Sequence, residues 1–246
     1  MIKEAKTTPE LLVILPVYNE QESIQHVLTE WFAELDANGC DYRILAINDG
    51  STDDTHAMLQ ARRNARPDRL EIRSRANLGH GHTCLEGYRE AVERGIPYIL
   101  QIDSDGQSLP EFFDDFWCIR EQYDVIYGVR KRQDGWQRVV ASRVLCILLR
   151  YVEGVDCVDA NVPYRLMRTA TCGAVIERVP AEISLANVAL AVMLRRENAI
   201  RHGSVPIHFP SRYGGEPSVP MARFFAKARE LFQQLKRMRE TPPNQS

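Results

Sequence analysis

The stretch YILQIDSDGQSLPE, residues 98–111, ends an apolar run in two aspartates one residue apart, with a glutamine two positions further on. Asp103, Asp105 and Gln107 offer hard oxygen ligands of the kind that coordinate Mg²⁺ or Mn²⁺. Two other apolar runs end in acidic groups as well. Residues 11–17 lead into Tyr18-Asn19-Glu20, and residues 43–48 lead into Asp49-Gly50-Ser51-Thr52-Asp53. Carboxylates repel a bare phosphate, but they accept hydrogen bonds from ribose hydroxyls and base N–H groups and bind hard cations. A nucleotide diphosphate bridged by Mg²⁺ or Mn²⁺ satisfies all of these preferences. Each group also has a plain structural reading. Asp103 to Gln107 could be a polar turn with Ser108 capping a helix ahead of Pro110, and Ser51 or Asp53 could cap the helix that follows. Three acidic groups on one edge point instead to a common ligand.

The surrounding pattern places that edge. Residues 11–17, 43–48, 69–73 and 97–102 read as strands, and 20–37, 53–65 and 80–94 carry apolar residues at helical spacing. This alternation predicts βαβ units and a mostly parallel sheet flanked by helices, an α/β fold in which ligands bind beyond the carboxyl ends of the strands. The second half predicts a helix over 110–121, a strand over 124–129, helices near 137–152 and 183–197, and a strand over 204–209. A compositional break at Pro217–Pro220 divides a domain over 1–218 from a helical tail over 219–246.

Bulk properties narrow the class. A net charge of −2 over 246 residues gives no global attraction to nucleic acid. The six cysteines form no CxxC pair and no disulfide framework, which suits reduced thiols in a cytoplasmic protein. The start, MIKEAKTTPE, lacks the apolar core of a signal peptide, and the longest apolar run, 144–149, is far short of a bilayer span. There is no GxxxxGK[ST], and Gly79-His80-Gly81 lacks a third glycine and does not follow the first strand. His80, His82 and Cys84 have no fourth partner for zinc and read as the opening of helix 80–94, whose free N–H groups could face a diphosphate.

LPVYNE (15–20), INDGSTDDT (47–55), NLGHG (77–81) and QIDSDGQSLPE (101–111) resemble, in order and spacing, the inverting glycosyltransferases of family two, which have the GT-A fold. Within that family the chain looks most like the polyprenol-phosphate glycosyltransferases. Their pattern is matched by Gly128-Val129-Arg130, by Arg138 and Ser142, by Tyr164-Arg165 and by Arg212 in SRYGGEPS. The resemblance covers residues 10–218. It implies a metal held by Asp103, Asp105 and Gln107, and donor contacts at Pro16, Tyr18, Glu20, Asp49, Asp103 and Ser142. It implies catalytic roles for Asp105, Arg130, Arg138 and Arg212. The donor would be a nucleotide-diphosphate sugar and the acceptor a lipid phosphate. Two features depart from the family: Pro217-Ser218 replaces its usual Ser-Lys, and the spanning helices that often follow are absent from the sequence.

The three arginines could equally be surface ion-pair partners, but their places at strand ends and in loops on the ligand side suit phosphate recognition. Asp159 reads either as a loop cap or as a group that contacts the sugar or orients an arginine. A hydroxyl acceptor would need a general base. Glu182 is the one candidate in position, and its surroundings match no base motif. A phosphate acceptor needs only cationic positioning groups. A hydroxyl acceptor is therefore the alternative, with a nucleotidyltransferase or a non-catalytic sugar-nucleotide sensor behind it. The tail 221–240 carries an apolar stripe (Met221, Phe224, Phe225, Ala228, Leu231, Phe232, Leu235, Met238) with six Lys or Arg and two Glu around it. It predicts either a helix packed on the core or on a second subunit, or a peripheral contact with the cytoplasmic membrane face.

Overall fold

The computed structural model describes residues 8–130, 136–157, 159–180, 183, 185–208, 210 and 230–236, and for 136–143 the backbone path alone. Strand β1 (Leu11–Val17) is an inner strand of a seven-stranded sheet with β2 (Tyr42–Asn48), β3 (Leu70–Ser74), β4 (Tyr98–Gln101), β5 (Val125–Arg130), β6 (Arg165–Arg168) and β7 (His202–Ile207). The order across the sheet is β3-β2-β1-β4-β6-β5-β7. All neighbours are parallel except β6, which runs antiparallel to both β4 and β5.

Every residue of β1 is buried, as its unbroken run of apolar side chains requires of a strand covered on both faces. Helix α1 (Ile24–Asn38) contributes Ile24, Val27, Leu28, Trp31, Phe32 and Leu35 to the core and packs beside α2 (Thr55–Ala65). Helix α3 (His80–Glu93) packs with α6 (Thr169–Ile176) and α7 (Ala186–Arg196). Its approach to β1 is close: a Cβ added at Gly87 would lie 2.5 Å from Cγ2 of Ile14. Each such fully buried aliphatic side chain contributes about 1.5–3 kcal/mol relative to exposure.

The predicted strands and helices appear within a few residues of their expected places, with three differences. The helix expected over 110–121 is a 3₁₀ turn (Pro110–Phe112) followed by a short α4 (Phe113–Trp117), because the chain turns after Trp117 to enter β5. The last strand starts two residues early, because His202 and Gly203 pair with Val125 and Ile126. Strand β6 and helix α6 were not predicted. Among the described residues, no helix is long and apolar enough to cross a membrane. The tail is helical over 230–236, where Leu231 and Leu235 are fully buried in the core and Phe232 packs partly against it. In this stretch the stripe covers the core; the remainder of the tail and the boundary at 218 lie outside the described residues.

Candidate active site

The carboxyl ends of β1, β2 and β4 open onto a cavity of about 430 Å³ lined by Pro16, Tyr18, Glu20, Asp49, Asp103 and Asp105 among others. Local hydrogen bonds shape each edge. Asn19 adopts a left-handed conformation (φ 52°). Its side-chain oxygen accepts from the N–H of Thr52 at 2.8 Å, and its own N–H donates to the Ser51 hydroxyl at 3.0 Å. The N–H of Glu20 donates to the Thr55 hydroxyl at 2.8 Å. The loops after β1 and β2 therefore clasp each other. Of the two capping candidates, Asp53 accepts the Thr55 N–H at 3.0 Å, while Ser51 is engaged by Asn19.

Asp49 is nearly buried and turned toward the neighbouring loop. It accepts the N–H groups of Leu78 and Gly79, both at 2.9 Å, and pairs with Arg75. It lines the cavity, yet its direct work in this structure is to hold residues 75–79, which lead into α3, against the end of β2. Gly50 allows that approach: its φ is +75°, and an added Cβ would meet the N–H nitrogen of Asn77 at 2.7 Å. Replacing Gly50 by alanine is expected to destabilise the fold by about 2 kcal/mol and to raise the donor KM. Thermal melting and donor titration check this, and an unchanged melt would show that the loop accommodates the methyl.

The loop after β4 is built as a tight polar turn. The N–H of Gln107 donates to Oδ1 of Asp105 at 3.0 Å, and the N–H of Asp103 donates to the Ser108 hydroxyl at 3.2 Å. Gly106 takes a positive φ of 80°. The Ser104 hydroxyl donates to the Pro16 carbonyl at 2.8 Å, the Ser23 hydroxyl donates to the Ser104 carbonyl at 2.9 Å, and Trp31 donates to the Ser108 carbonyl at 3.1 Å. Ser108 thus serves the turn rather than capping a helix.

Asp103 and Asp105 face the cavity together; Gln107 does not line it. The Gln107 side-chain amide donates instead to the Pro210 carbonyl at 2.9 Å, which moors the chain beyond β7 to this loop. Among the described residues, no three His, Cys, Asp or Glu groups converge on one metal position. The opening of α3 supplies Gly79, His80 and Thr83 to the wall. The Cys84 sulfur, and beyond it the Asp103 and Asp105 carboxylates, favour the protonated form of His80.

The opposite wall was not legible as part of a site. Asn161, Leu185, Ala186 and Asn187 line it. They are positioned by Arg165, which is fully buried and donates to the carbonyls of Ala160 and Asn187, both at 3.2 Å, while lying over the Tyr127 ring. The Tyr88 hydroxyl donates to Gln101 at 2.5 Å and lies 3.2 Å from the Asn187 side-chain oxygen, which joins α3, β4 and α7. Of the Tyr-Arg pair noted in the sequence, Arg165 supports this wall, while Tyr164 is buried against Trp31 and Phe116.

Arg130 ends β5 and forks onto Asp159, with contacts of 2.5 and 2.8 Å. Of the two readings of Asp159, this arrangement matches the one in which it orients an arginine. Arg138 and Ser142 fall in helix α5 (Trp136–Glu153), where only the backbone is described. Arg212 and Glu182 lie outside the described residues.

Comparison with known proteins agrees with this geometry. The model of Glycosyl transferase family 2 matches residues 12–167. Among solved structures, the chain is similar to glucosyl-3-phosphoglycerate synthase from Mycobacterium tuberculosis in complex with Mn²⁺, uridine diphosphate and phosphoglyceric acid. The TM-score is 0.69 at 15% identity, covering 96% of this chain and 80% of that one. The same synthase with Mn²⁺, UDP-glucose and glycerol 3-phosphate gives a TM-score of 0.65 at 17% identity, covering 96% and 82%. At these identities the likeness establishes the fold, which is GT-A.

Proposed function

Because the chain belongs to Glycosyl transferase family 2 and is a glycosyltransferase, we propose that it carries out metal-assisted, inverting transfer of a sugar from a nucleotide-diphosphate donor to a lipid phosphate such as a polyprenol phosphate. The observation that carries the donor half is the meeting of Glu20, Asp49, Asp103 and Asp105 in one cavity at the ends of three parallel strands. Asp103 and Asp105 would hold Mg²⁺ or Mn²⁺, which when bound neutralises the departing diphosphate. Their carboxylates share the cavity wall and fit that role. The Gln107 side chain is engaged with Pro210 and fits it less well. Pro16, Tyr18 and Glu20 flank the space for the nucleoside, and the first turn of α3 faces the donor.

On the acceptor side, the synthase from M. tuberculosis binds phosphoglyceric acid and its product glucosyl-3-phosphoglycerate, which carries the sugar on a phosphate-bearing molecule rather than on a lipid phosphate, so the lipid-phosphate reading rests on this chain's own residues. The sequence positions of Arg130, Arg138, Ser142 and Arg212 favour a lipid phosphate. A phosphate oxygen is already an anion and needs no base, only cationic positioning. Asp49 is meanwhile committed to the 75–79 loop, and the Glu20 carboxylate lies 2.6 Å from the Ser23 hydroxyl oxygen.

The test is release of nucleoside diphosphate from a panel of nucleotide sugars with Mn²⁺, in the presence of undecaprenyl phosphate, 3-phosphoglycerate or neither. Turnover that requires the lipid phosphate and stops in EDTA supports the reading. Turnover with 3-phosphoglycerate alone assigns a hydroxyl acceptor, and undiminished turnover in EDTA removes the metal role.

A further inference from the structure

Most of the exposed large apolar side chains among the described residues are gathered on one helix. Val144, Ile147, Leu148, Tyr151 and Val152 of α5 are exposed, with Tyr151 at 84% and Ile147 at 54%. They recur at i, i+3, i+4, i+7 and i+8, the spacing of a single helical stripe. The other side of the helix, Leu145, Leu149 and Glu153, is buried in the fold, while the stripe faces outward. The helix contains Arg138, Arg143 and Arg150, and its sole acidic residue, Glu153, is buried and paired with Arg196.

We propose that α5 docks the protein onto the anionic headgroup surface of a lipid bilayer, seating the stripe among the headgroups with Arg150 beside lipid phosphates. A helix with one buried side, an outward aromatic-aliphatic face and basic neighbours has the composition of an interfacial helix. A second copy of the chain fits less well: stripe against stripe would bring the basic positions of two helices together, with no accessible carboxylate on α5 to answer them. The described stretch of the C-terminal tail, 230–236, turns Leu231 and Leu235 into the core instead. Among the described residues the outward-facing stripe is that of α5, which follows the strand that ends in Arg130, and the contact is assigned to it. This inference stands on the helix surface and not on the identity of the acceptor, and it is read without sugar transfer, so either can fail alone.

The experiment is sedimentation of the full chain with vesicles of phosphatidylcholine, with and without phosphatidylglycerol. Wild type is expected to bind the phosphatidylglycerol vesicles, and binding should weaken in high salt. The double variant Ile147→Ser, Tyr151→Ser should lose about tenfold in bound-to-free ratio, with thermal melting and nucleotide affinity unchanged because both side chains are exposed. Arg150→Glu should weaken binding to the anionic vesicles only. The proposal is overturned if wild type does not bind, or if the double variant binds equally well. It is also overturned if the same change separates a dimer in sedimentation velocity while vesicle binding persists, which would make the stripe a subunit contact.

Discussion

Replacing Asp105 by alanine or by asparagine is expected to lower sugar transfer by about 10²–10³-fold, since a charge aimed at the leaving diphosphate is worth several kcal/mol at the transition state. The two substitutions separate charge from structure. Asp105 accepts the Gln107 N–H at 3.0 Å; asparagine retains that acceptor, whereas alanine removes it. The asparagine variant should therefore melt at nearly the wild-type temperature, and the alanine variant should lose about 1 kcal/mol of stability as the turn loosens. Release of nucleoside diphosphate and thermal melting are the two measurements. An asparagine variant with wild-type turnover would show that the Asp105 charge does no work in the reaction.

Removal of Arg130 is expected to have the largest effect on stability. Asp159 is almost fully buried, at 5% side-chain exposure, and the Arg130 fork holds both of its oxygens. Breaking a buried pair from one side costs about 3–5 kcal/mol, and the partial exposure of Arg130 places the expected loss near the lower end, about 3 kcal/mol. For a chain of this size that lowers the melting temperature by about 6–12 °C. Removing Asp159 as well should recover part of the loss, because the uncompensated carboxylate is then gone. Lysine at 130 should recover less than the native fork provides, since it offers a point charge in place of two aligned N–H groups. If Arg130 also meets the acceptor phosphate, the variant will raise the acceptor KM while nucleotide affinity stays nearly intact. Weakened nucleotide binding with unchanged acceptor kinetics would assign Arg130 to the donor instead.

The parallel half of the sheet, and the edge where Asp49, Asp103 and Asp105 meet, follow from local pattern in the sequence. Strands β1, β2 and β4 are short apolar runs, each flanked by helical periodicity, and a parallel crossover leaves the residues after them on one side. Reading ligands from that edge needs no knowledge of distant contacts.

Strand β6 was out of reach for the opposite reason. RLMR is four residues long with arginine at both ends, and by itself it resembles a polar connection. It becomes a central strand only because Tyr98 to Gln101 on one side and Val125 to Tyr127 on the other supply backbone partners. Arg165 likewise looks like a surface residue until the carbonyls of Ala160 and Asn187 surround it. Tertiary structure also decided that the Gln107 amide holds Pro210, 103 residues away, and that Asp49 clamps the loop at 78–79. It turned the apolar stripe of 230–236 inward and left that of α5 exposed, although both have the same helical spacing. Periodicity records which side of an element is apolar. What that side meets, and which partner a buried polar group finds, depends on segments brought together only by the folded chain.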